Sequence, residues 1–61
     1  MNTDLQIQWL DNSGWVTNRT IDNGVNLGGN QITRAMQEVS NYFPGKRIRA
    51  VDGNGRLVDM L

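Results

Sequence analysis

The residues that could carry chemistry in this chain are few. The segment Asp52-Gly53-Asn54-Gly55-Arg56 opens like a calcium loop, with oxygen-bearing side chains at its first and third positions. Such a loop also needs an oxygen ligand fifth and glycine sixth. Arg56 and Leu57 stand there, so a hairpin turn accounts for the pattern. Gly24, Gly28 and Gly29 lead toward a helix start, where free backbone N–H groups can hold an anion. A phosphate loop would add a lysine at that point. The sequence offers Asn30-Gln31-Ile32-Thr33, which suits a connecting loop.

Catalytic groups are scarcer still. With no cysteine there is no thiol nucleophile and no disulfide, and with no histidine the commonest general base is missing. A zinc site would have to rely on carboxylates alone. The carboxylates are Asp4, Asp11, Asp22, Glu38, Asp52 and Asp59. The pattern brings no two of them into one pocket, as carboxylate-pair hydrolysis demands. Ser13 and Ser40 have no histidine to activate them. The expectation is a protein that is not an enzyme, with no cofactor, no metal and no small-molecule substrate.

Two clusters suggest binding instead. Lys46, Arg47, Arg49 and Arg56 gather in one stretch, opposed there by Asp52 alone. Basic strands beside an aromatic ring can follow a phosphate backbone. Arg47 and Arg49 have the same strand parity and project from one side. A solvated face or a charged sheet edge gives the same composition. The second cluster is apolar and depends on how the strands fold.

Residues 4–10 alternate, with Leu5, Ile7 and Trp9 against Gln6 and Gln8, as in a half-buried strand. Asp11-Asn12-Ser13-Gly14 is a turn by composition, and residues 15–21 return as a second strand. Pairing Leu10 with Trp15 sets Trp9 opposite Val16 and Ile7 opposite Asn18. Leu5, Ile7, Trp9 and Val16 then share the inner face. Residues 22–29 form a breaker-rich loop, which Val25 and Leu27 can pin to the core. Asn30 is a good helix N-cap. Ile32, Ala35, Met36, Val39 and Phe43 recur at helical spacing within an arc of about 100°, with Tyr42 at its edge. Pro44-Gly45 ends the helix.

Residues 46–51 and 56–61 flank a second turn. A three-residue loop, Gly53-Asn54-Gly55, puts Gly55 at a left-handed position and pairs Ile48 with Met60, Ala50 with Val58 and Arg49 with Asp59. One face is then apolar and the other gains a cross-strand ion pair.

The sum is an α+β fold of order ββαββ. Two hairpins build a four-stranded antiparallel sheet, with one helix packed across one face, in a single small domain spanning residues 1–61. The outer face of such a sheet is normally polar. Here it receives Leu10, Trp15, Val51 and Leu57, with Arg47 and Arg49 at the rim. An aromatic and aliphatic patch beside arginine is the composition of an interface core.

Hydrophobic burial and chain ordering nearly cancel in so short a chain, at about 90 kcal/mol each. Burial against a partner would therefore help. The leading expectation is a protein-interaction module, either a homodimer or a binder of another protein. The second is a small nucleic-acid binder using Lys46, Arg47, Arg49 and Arg56. The third is a bacterial or phage-type inhibitor or adaptor. No membrane role is expected, because no apolar run approaches the ~18 residues of a span. The segment Met1-Asn2-Thr3-Asp4 lacks the features of a signal peptide, which predicts an intact cytoplasmic chain starting at its own Met. The net charge of zero divides unevenly, with −2 over residues 1–22 and +2 over residues 23–61.

Overall fold

A computed structural model describes residues 2–61; Met1, read above as the natural start, lies outside them. The chain forms β1 (Leu5–Asp11), β2 (Gly14–Ile21), a 3₁₀ turn at Gly24–Asn26, α1 (Gly29–Tyr42), β3 (Ile48–Asp52) and β4 (Leu57–Met60). This is the expected ββαββ α+β fold. The four strands make one antiparallel sheet in the order β2-β1-β3-β4. The accessible surface is 4001 Å², the value expected of a folded chain of this mass.

The order places β1 and β3 at the centre, and they carry the fully buried strand residues. Leu5 and Ile7 of β1, Ile48 and Ala50 of β3, and Ile32, Met36 and Val39 of α1 form the core. Trp9, Ile21, Val25, Leu27, Ala35 and Phe43 pack around it. The helical spacing alone selected the buried face of α1, and Tyr42 stays outside it. At the helix end the Phe43 ring stacks on Trp9, with centroids 4.2 Å apart and planes 9° from parallel. Gly45 follows at φ +81°, the left-handed turn that glycine accepts at no steric cost.

Four local expectations change. The helix is capped by Gly28 rather than Asn30, since Gln31 and Ile32 both donate their backbone N–H to the Gly28 carbonyl. Leu27, held in the core, brings the chain to the helix two residues early. In the first hairpin Leu10–Trp15 and Trp9–Val16 pair as expected, but Ile7 faces Arg19. A bulge at Asn18 shifts the register and sets Ile21 opposite Leu5, facing the core. It also turns Arg19 toward the helix, where its Nη1 lies 2.9 Å from Glu38 Oε2. Val16 stays 39% exposed on the edge strand.

The second hairpin has the three-residue loop, with Gly55 at φ +82° and Val51 opposite Leu57. A bulge then slides the strand by one residue. Arg49 faces Met60 and Ala50 faces Asp59, so the expected Ile48–Met60, Ala50–Val58 and Arg49–Asp59 pairs are not made. The slip moves Asp59 off the face of Arg49 and brings Met60 onto it.

Candidate functional site

Strand parity defines the outer face from these registers. Leu5, Ile7, Ile48 and Ala50 point to the helix, so Gln6, Gln8 and Leu10 of β1 point away, as do Arg49 and Val51 of β3. Their partners Trp15 and Thr17 on β2, and Leu57 and Met60 on β4, complete that side. Leu10 donates its N–H to the Arg47 carbonyl at 2.9 Å, which carries Arg47 onto the same end of the sheet.

The four predicted apolar residues all lie on this face, but they do not form one patch. Leu10 and Trp15 sit half-buried at the end nearest the β1–β2 turn. Val51 and Leu57 sit toward the other end, on β3 and β4. Val51 is only 1% exposed, between Gln6 on one side and Leu57 on the other. It supports the surface and does not present itself to a partner. Leu57 and Met60, at 59% and 42% exposure, are the accessible apolar groups on β4.

Between the two ends runs a polar bridge. Arg49 does not stand at the rim; it lies across the middle of the face. Its guanidinium carbon is 4.2 Å from the Trp15 ring centroid, a cation–π contact made over β1. Its Nε donates to Gln8 Oε1 at 2.7 Å. Gln8 Nε2 in turn donates to Thr17 Oγ1 at 3.0 Å and to Gln6 Oε1 at 3.3 Å. Gln8 therefore holds the cation that covers the tryptophan. Sequence reading missed Gln8 because alternation marks it only as outward and polar. It missed Met60 because the bulge has no signature in the pattern.

Removing this arginine has a measurable consequence. Arg49→Ala should uncover Trp15 and raise the quenching of tryptophan fluorescence by acrylamide. Trp9, stacked on Phe43, should contribute no change. The expected stability loss is about 0.5–1 kcal/mol. Unchanged quenching would mean that the stack does not persist in solution.

The remaining basic residues separate. Lys46 and Arg47 are exposed ahead of β3. Arg56 is committed to the turn, where its Nε lies 3.2 Å from Asp52 Oδ2. Asp52 Oδ1 also accepts the backbone N–H groups of Asn54 and Arg56, each at 2.9 Å. This run, which opens like a calcium loop, thus spends its first carboxylate on its own turn. The backbone N–H of Arg56 is the main reason the Asp52 carboxyl lies below its ordinary range, with the Asn54 N–H and the Arg56 side chain adding to it. A carboxylate depressed on folding stabilises the folded form above its unfolded pKa, and that contribution is lost as pH falls through the lower folded value. The second hairpin should therefore loosen only in acid, below the usual carboxylate range. Asp52→Asn should remove that part of the acid dependence, read as urea stability against pH.

Among the described residues no concave pocket forms and no three metal-ligating side chains converge. No helix is long and apolar enough to cross a membrane. No protein-family model matches the chain, and no curated protein or solved structure matches it either.

Proposed function

We propose that this chain is a small non-enzymatic interaction module that binds a protein partner through the outer face of its sheet. One observation carries this reading. The helix packs on one side only, and the other side holds Leu10, Trp15, Leu57 and Met60 around Arg49 and Arg47. Aromatic, methionine and arginine side chains with few acidic neighbours are what interface cores are made of. A rigid sheet presents them with little ordering cost on binding. The cysteine-free composition suits a reducing compartment such as the cytoplasm.

The test uses the chain in extracts of cells that make it. The apparent mass of the unaltered chain should exceed that of the free 6.9 kDa protein. Leu57→Asp should return it to the free mass. Tyr42→Asp, at a 71% exposed position next to the helix end, should not. Equal behaviour of the two variants would remove the outer face as the binding surface.

A second reading draws on the basic end, where Lys46 and Arg47 are exposed near the Trp15–Arg49 stack. A nucleic-acid strand could track these cations. The Arg49 guanidinium already covers a face of the Trp15 ring, so a base would have to displace it to stack. Binding of this kind should weaken steeply with salt and vanish in Arg47→Glu/Arg49→Glu. Absence of a gel shift at low salt, with single- and double-stranded probes, would remove it.

A further inference from the structure

The outer face is electrically polar along its strands. Arg47 and Arg49 lie on it toward the Trp15 end, with Lys46 beside them. Asp4 continues the outward parity of Gln6 and Gln8 at the opposite end, and Asp22 follows β2 at that same end. Arg56, the cation nearest that end, is tied to Asp52 in the turn. Asp11 and Asp59 lie at the Trp15 end but alternate to the helix side, so on the outer face the cations stand toward one end and Asp4 and Asp22 toward the other.

Resting on the interaction reading above, we infer that the partner is a second copy of this chain, docked face to face with its strands reversed. A two-fold axis lying in the interface across the strands sets the basic end of each copy over the acidic end of the other. An axis along the strands would stack like charges and is disfavoured. The same reversal sets Leu57 of one β4 over Met60 of the other, since these residues mark opposite ends of that strand. The size fits as well. The molecule measures 31 × 23 × 15 Å, so its broad side offers at most roughly 700 Å², close to the about 800 Å² per partner of a standard interface.

Light scattering on the purified chain at high micromolar concentration should give twice 6.9 kDa, with dissociation favoured by salt. Arg47 lies beside Leu10 of β1 and Asp4 leads into β1, so the reversal brings Arg47 of one copy within one strand spacing, ~5 Å, of Asp4 of the other. Arg47→Glu and Asp4→Arg each set like charges together, and each should weaken association by roughly tenfold or more. The chain carrying both substitutions restores opposite charges at both contacts and should dimerise again. Circular dichroism checks that each variant folds, since Arg47 is exposed but Asp4 is half-buried and accepts the Asn23 N–H. A wild-type monomer at all concentrations would overturn the second copy as partner, and a doubly substituted chain that stays monomeric would overturn the reversed docking. If the purified chain is monomeric while Leu57→Asp still releases it from a complex in extracts, the interaction face stands and the second copy fails. If both experiments are negative, the interaction reading fails too.

Discussion

Replacing Met36 by alanine should lower the unfolding free energy by about 2–5 kcal/mol, the usual cost of emptying a large buried side chain. A chain of this length has only about 3–9 kcal/mol in total. Met36 is 1% exposed and stands between Ile32 and Val39 on the buried stripe of α1. It faces the cluster of Leu5, Ile7, Ile48 and Ala50. Among the described residues no second α-helix packs on the sheet to settle into the space, so the cavity would remain between α1 and the sheet. Met36→Leu keeps the volume and should cost less than about 1.5 kcal/mol. Urea unfolding followed by circular dichroism reads both. Equal losses in the two variants would mean that the helix does not dock through Met36.

Gly24→Ala should cost about 1–3 kcal/mol although it adds a single methyl group. Gly24 is buried where the 3₁₀ turn crosses the end of the first hairpin. A Cβ there would come 2.5 Å from Leu5 Cβ and 3.0 Å from Ile21 Cβ. Both atoms are fixed by strand backbone and cannot rotate aside, so the turn itself would have to move. The position matters doubly, since Val25 donates to the Thr3 carbonyl at 3.1 Å and Asn23 to Asp4 Oδ1 at 3.1 Å, holding the turn to the strand. Gly29→Ala is the control: a Cβ there meets nothing, and alanine favours the helix. It should leave stability unchanged or raise it. Gly24→Ala as stable as Gly29→Ala would contradict the packing of the turn.

What could be read from the sequence was what is encoded locally. The helix face follows from spacing within a dozen residues, and the second turn from the demand for glycine at a left-handed position. The bulges at Asn18 and in β4 could not be read this way. Each adds one residue whose placement is decided by packing elsewhere, Ile21 against the core in one case and Met60 beside Arg49 in the other. The strand order was equally hidden, since either hairpin could have offered either edge to its neighbour. The candidate surface inherited these gaps. Leu10, Trp15, Val51 and Leu57 follow strand parity to the side away from the helix, whereas the sequence pattern puts Met60 on the helix side. Burial of Val51 and the reach of Arg49 over β1 to Trp15 depend on the β1–β3 pairing, which no local pattern reports.

Docking through the outer sheet face is read most directly by site-specific photo-crosslinking in cells that make the protein. One chain carries the photo-reactive residue in place of Leu57 on the outer sheet face, another in place of Tyr42 next to the helix end. Position 57 should give a discrete crosslinked species and position 42 none. A crosslink from position 42 with none from position 57 would contradict that docking, because the partner would then sit away from the face that the helix leaves open.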